Sequence, residues 1–165
     1  MNLALAKELR ASGKHAEARE LLVLLAARSP GDAELQYQAA CVHDFLGEEV
    51  SAIAYYRAAL RGPLAEDHLR GAYLGLGSTY RALGRYIEAE AILRQGLERF
   101  PEANEMKVFL AMTLHNLGRS KAAVESLLEV IAQTSSDKEI QAYRRAIAQY
   151  ARDIERIEDS GGARQ

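Results

Sequence analysis

The chain has 165 residues, 48% of them hydrophobic, enough for one domain or one uninterrupted array of small units but not for two independent cores. Lys plus Arg number 21 and Asp plus Glu 23, and a net charge of −2 offers no electrostatic capture of a phosphate backbone, so no nucleic-acid partner is expected. No apolar run approaches the roughly 20 residues of a membrane-spanning helix, so no membrane partner is expected either, and a lone cysteine, Cys41, excludes an internal disulfide or a multi-cysteine metal centre. From the N-terminus, Met1 to Arg10 is amphipathic and includes Glu8. It lacks the basic stretch, apolar block and small-residue cleavage site of a secretory signal, which makes the cytoplasm the expected compartment. Pro30, Pro63 and Pro101, the only prolines, all fall between amphipathic stretches. The stretches themselves are rich in Ala, Leu, Glu, Arg and Gln, which are strong helix formers, so the chain reads as all-α.

A repeat runs along it. Gly13, Gly47, Gly84 and Gly118 are spaced by 34, 37 and 34 residues, and each is followed five positions later by an alanine: Ala18, Ala52, Ala89 and Ala123. A small residue also recurs in the stretch before each glycine, at Ala6, Ala40, Gly77 and Ala111. Facing the repeated alanine across a helix pair, it lets the two axes approach closely, and the glycine ends one helix in a left-handed turn before the next begins. Gly77-Ser-Thr-Tyr-Arg-Ala-Leu-Gly84-Arg-Tyr-Ile-Glu-Ala89-Glu90 is the fullest copy. In these residues the chain resembles the tetratricopeptide repeat family, whose unit is two antiparallel helices, and it is similar to small bacterial proteins of that type.

The resemblance implies a right-handed α-α superhelix, a helical solenoid of four units over 1–137, divided as 1–32, 33–69, 70–103 and 104–137. Asp67-His68-Leu69 supplies the extra residues of the second unit. Residues 138–158 follow as one helix, started by a capping box over Ser136-Asp137-Lys138-Glu139. Ile140, Tyr143, Ile147, Tyr150, Ile154 and Ile157 then recur at alternating spacings of 3 and 4, a narrow apolar seam suited either to capping the last unit or to a homodimer contact. Residues 159–165 are expected to be a flexible tail.

No chemistry-bearing motif stands out. A phosphate-binding loop and a His-Glu-x-x-His pair are both absent, and Gly75-Leu-Gly77-Ser-Thr-Tyr80 imitates a dinucleotide loop only in its first two glycines. His15, His43, His68 and His115 fall in separate units with no ligand-spaced partner, so neither metal nor cofactor is expected, and no enzymatic activity. Function then rests on the concave groove that the family resemblance implies. Carried over by register, its lining is Tyr37, Cys41, Asp44 and Phe45 from the second unit, and Leu74, Ser78 and Arg81 from the third. Val108, Phe109, Met112, His115 and Asn116 follow from the fourth. Family members that clamp a carboxylate terminus use lysine, asparagine and arginine at positions that here hold Gln38, Gly71 and Gly75, so that clamp is not expected. The sequence reading is a non-enzymatic module that docks a protein or peptide segment, with a homodimeric scaffold built on the C-terminal helix as the alternative.

Overall fold

A computed structural model describes residues 2–157; the tail expected over 159–165 lies outside the described residues. Four helix pairs follow one another: α1 (Leu3–Ala11) with α2 (His15–Arg28), α3 (Ala33–Phe45) with α4 (Glu49–Ala59), α5 (Glu66–Ala82) with α6 (Tyr86–Arg99), and α7 (Asn104–Asn116) with α8 (Ser120–Thr134). No strand occurs among the described residues. Each pair packs on itself and on the next, and α3, α5 and α7 also touch in succession, so the first helices form a row along one face of an all-α solenoid.

The hairpin turns share one geometry. Gly13, Gly47, Gly84 and Gly118 sit at φ of 78°, 73°, 73° and 77°. In each, the N–H after the glycine returns to a carbonyl five residues back, as Lys14 to Leu9 at 2.8 Å and Glu48 to His43, Arg85 to Tyr80 and Arg119 to Leu114 at 2.9 Å. That double-bonded helix end needs a left-handed residue, which only glycine supplies cheaply. Side-chain caps begin two first helices: Asn2 accepts from the Leu5 N–H and Asp32 from the Leu35 N–H, each at 3.1 Å.

The small residues meet as their spacing requires. Ala6 with Ala18, Ala40 with Ala52, and Ala111 with Ala123 are buried in shared clusters. At Gly77 a Cβ would stand 2.5 Å from Leu93 Cγ, so there the helices close on hydrogen alone. Ion pairs staple successive units from outside: Lys7 to Glu34 at 3.0 Å, Arg19 to Glu48 at 2.5 Å, and Arg119 to Glu90 at 2.7 Å. Arg70 grips Glu105 with Nε at 2.5 Å and a terminal nitrogen at 2.7 Å.

Two features differ from the sequence reading. Asp67, His68 and Leu69, counted above with the second unit, lie in the first turn of α5, which starts at Glu66. The single helix over 138–158 is instead two short ones, α9 (Lys138–Ala142) and α10 (Arg144–Tyr150), followed by turns to Ile157. Tyr143, at φ −100° and ψ 7°, breaks the run. The start is capped by Asp137, whose Oδ1 accepts from the Glu139 and Ile140 N–H groups at 3.0 Å, rather than by Ser136. The fold-back has a tertiary cause. Lys121, at the start of α8, holds Asp153 at 2.6 Å and Glu155 at 3.1 Å, and Glu125 accepts from the Ile154 N–H at 3.2 Å. One straight helix would carry those residues away from α8.

Candidate functional site

The twelve positions assigned to the groove separate into three environments. Tyr37, Cys41 and Asp44 belong to a polar cluster between the second and third units. Tyr37 stacks on His68 with ring centroids 4.8 Å apart. The Tyr56 hydroxyl, from α4, lies 3.3 Å from Asp44 Oδ2 and 3.9 Å from the Cys41 sulfur, and the Thr79 hydroxyl lies 3.0 Å from Asp44 Oδ1. The room for these rings comes from α5. A Cβ at Gly71 would strike the Tyr37 hydroxyl, and one at Gly75 the ring of Tyr56. The two glycines that argue against a carboxylate clamp are thus filled by tyrosines of the preceding unit.

The electrostatics of this cluster are those of an internal joint. Burial pushes the Asp44 carboxyl above its ordinary range, and hydrogen bonds from Thr79 and Tyr56 oppose it only in part. Burial likewise pushes the Cys41 thiol up, so little thiolate forms at neutral pH and the sulfur is a poor nucleophile. The Tyr37 and Tyr56 hydroxyls are raised too, first by burial and then by the nearby Cys41 sulfur. Glu34, beside this joint, is partly buried, which raises it, yet Lys7, Gln38 and His68 together hold it below the usual carboxylate range.

The second environment is peripheral. Phe45 is 66% exposed and lies against His15, ring centroids 3.9 Å apart. With Lys7, Arg10 and Ala11 these two line a shallow cleft of about 340 Å³. Arg10 also donates to the Gln38 side chain. Leu74 and Phe109 pack against the core around Leu93, Phe100 and Met106, and the Ser78 hydroxyl donates to the Gly75 carbonyl at 3.0 Å. Val108 is half-buried and Asn116 exposed.

Arg81, Met112 and His115 converge in the third. They line a largely apolar pocket of about 240 Å³ together with Ala111, Ser120, Ala123, Val124 and Leu127. His115 Nδ1 is 3.0 Å from the Ser120 hydroxyl. Arg81 Nε is shut off from solvent and has no hydrogen-bond partner, an orphan donor at the rim of an apolar cavity. The α8 side of this pocket is missing from the sequence-derived lining, which took only first-helix positions. The signal for it is the apolar row Val124, Leu127 and Ile131 on the last second helix.

The C-terminal seam is divided by the break at Tyr143. Ile140 and Ile147 are half-buried, whereas Tyr143, Tyr150, Ile154 and Ile157 remain exposed. Helix α10 lies on α8, bordering Glu129, Ala132 and Gln133. Among the described residues no cluster of His, Cys, Asp and Glu could hold a metal ion, and no helix is long and apolar enough to cross a membrane.

Repeated glycine-ended hairpins with small residues at every contact are the construction that the sequence motif implied, and the match to the family model for the tetratrico peptide repeat covers residues 33–154. The chain belongs to the tetratricopeptide repeat family. An uncharacterized protein of Aquifex aeolicus (strain VF5) is 35% identical over 81 residues, 49% of this chain. The matched stretch is only 10% of that protein's length. Among solved structures, the crystal structure of MamA superposes with a TM-score of 0.68 over 92% of this chain and 93% of its own, at 14% identity. Tetratricopeptide repeats are in general a non-catalytic, protein-interaction fold.

Proposed function

We propose that this chain is a non-enzymatic interaction module that seats an apolar side chain of a protein segment in the pocket bounded by α7 and α8, the row of first helices guiding the rest of the segment. The observation that carries this reading is the convergence of Arg81, Met112 and His115 on one apolar cavity while Tyr37, Cys41 and Asp44 are consumed inside the solenoid. A partner gains by covering Val124 and Leu127, the apolar α8 side of the pocket. Displacing the satisfied polar cluster would cost it hydrogen bonds instead. The alternative, a homodimer through the C-terminal helix, needs Ile147, Tyr150, Ile154 and Ile157 on one helical stripe, whereas α10 ends at Tyr150.

The test selects peptides from a random display library on the immobilised full chain and measures their affinity for three variants. Met112→Asp and Val124→Asp are expected to weaken binding at least ~tenfold, equivalent to about 1.4 kcal/mol. Val50→Asp, on the exposed side of α4, leaves it unchanged. Equal binding to all three refutes the pocket as the site.

A further inference from the structure

The interface between successive units is built the same way three times. Ala39 of α3 packs in one cluster with Leu22 of α2, Leu76 of α5 with Tyr56 of α4, and Leu110 of α7 with Leu93 of α6, and all six side chains are buried. The first member of each pair occupies the same repeat position on a first helix, the second the same position on the preceding second helix. Among the described residues two hold these positions without such a neighbour: Leu5 on α1, 40% exposed, and the half-buried Leu127 on α8, flanked by Val124 at 43% and Ile131 at 40%. Helix α10 does not close this end. It borders α8 at Glu129, Ala132 and Gln133, on the helix side turned away from Val124, Leu127 and Ile131, and leaves the apolar pocket open.

From this register we infer that the pocket takes the first helix of a second copy of the chain, Leu5 of the second copy entering against Leu127 as Leu110 enters against Leu93. The inference rests on the pocket being the binding site and names its occupant. The continuity is one of shape and polarity: an apolar residue on a first helix meets an apolar row on a second helix, and among the described residues both are present, with Leu5, Val124 and Ile131 exposed and Leu127 half-buried. Because the two faces differ, the contact is heterologous, and copies add head to tail as successive units do within the chain. The contacting rows are short, so association is weak and concentration-dependent.

Sedimentation velocity on the full chain from ~10 μM to ~1 mM, the range of weak contacts, is the test, with circular dichroism to verify that each variant is folded. The wild type is expected to gain mass continuously, past dimer. Leu5→Asp and Ile131→Asp each stay monomeric alone, whereas an equimolar mixture forms dimers and nothing larger, since one variant keeps a working α8 face and the other a working α1 face. Should either variant not fold, Leu5→Gln and Ile131→Gln serve in its place. A monomeric wild type at every concentration overturns the inference while leaving the display test of the pocket standing. Dimerisation of Leu5→Asp by itself, the mark of a symmetric contact, overturns it as well. Display peptides that bind all pocket variants equally would remove the pocket reading itself.

Discussion

At Gly77 the two helices of the third pair meet with no room for a Cβ, and a double-mutant cycle with Leu93 measures how far packing there overrides helix propensity. Gly77→Ala gains about 1 kcal/mol of intrinsic helix preference. Its methyl would stand 2.5 Å from Leu93 Cγ and 2.7 Å from Cδ2, and Leu93 is fully buried, so neither side chain can turn away without disturbing the core. Overpacking of that kind costs about 1–3 kcal/mol, leaving a net loss of roughly 0–2 kcal/mol where an exposed site would show a gain. Leu93→Ala alone removes a core side chain at a cost of about 2–5 kcal/mol. In the double variant the clash disappears, the new methyl fills part of the space, and the propensity gain survives. The double variant is therefore more stable than Leu93→Ala, with a coupling of about 0.5–3 kcal/mol. Urea unfolding of the four proteins at matched m-value gives the cycle. Additivity within about 0.5 kcal/mol, or a Gly77→Ala protein stabilised by its full propensity, refutes the close-approach account.

Three further outcomes are expected. Gly84→Ala, at φ 73° with open space around the added methyl, loses about 1–2 kcal/mol from backbone conformation alone, whereas Gly31→Ala, equally open and without positive φ, is neutral or gains up to about 1 kcal/mol; equal urea midpoints for the two would contradict this. Asp44 has its carboxyl raised above 3.8 by burial, so above that pH the native state holds more protons there than the unfolded chain, and the stability it contributes is lost as pH rises through its native pKa. Asp44→Asn removes this slope, and its stability relative to wild type should climb as pH rises above 3.8. A pH-independent difference would show that Asp44 is not the titrating group. Glu34, Glu90 and Glu105 act in the opposite sense, their depressed values giving stability that fades as pH falls below 4.5. Lys121→Ala releases Asp153 and Glu155, and hydrogen exchange should accelerate in residues 144–155 while α5 and α6 are unchanged; unaltered protection in 144–155 would mean that α10 is held by apolar contact alone.

What could be read from the sequence divides by the range of the interaction that fixes it. The turns at Gly13, Gly47, Gly84 and Gly118 follow from local backbone conformation, and the alanine contacts from helical spacing within one pair, so both are visible in the order of residues. The break at Tyr143 is not: spacings of 3 and 4 from Ile140 to Ile157 suit an unbroken helix, and what overrides them is a tertiary pull from Lys121 and Glu125, some thirty residues earlier. The groove suffers the same way. Register places Tyr37, Cys41 and Asp44 on first helices, yet Tyr37 and Tyr56 turn inward only because Gly71 and Gly75, in the next unit, leave them space.

This division also decides where a partner can act. Inside the solenoid, an apolar residue on a second helix is covered by the next first helix, as Leu22, Tyr56 and Leu93 are. Among the described residues no first helix covers Leu127, which is half-buried, or Ile131, which is exposed. Each apolar side chain newly buried there contributes about 25 cal/mol per Å² removed from water. No comparable gain exists at Asp44, whose two oxygens are already engaged by Tyr56 and Thr79. A ligand at Asp44 would exchange bonds one for one, whereas a ligand at Leu127 completes an interface that the chain has built three times.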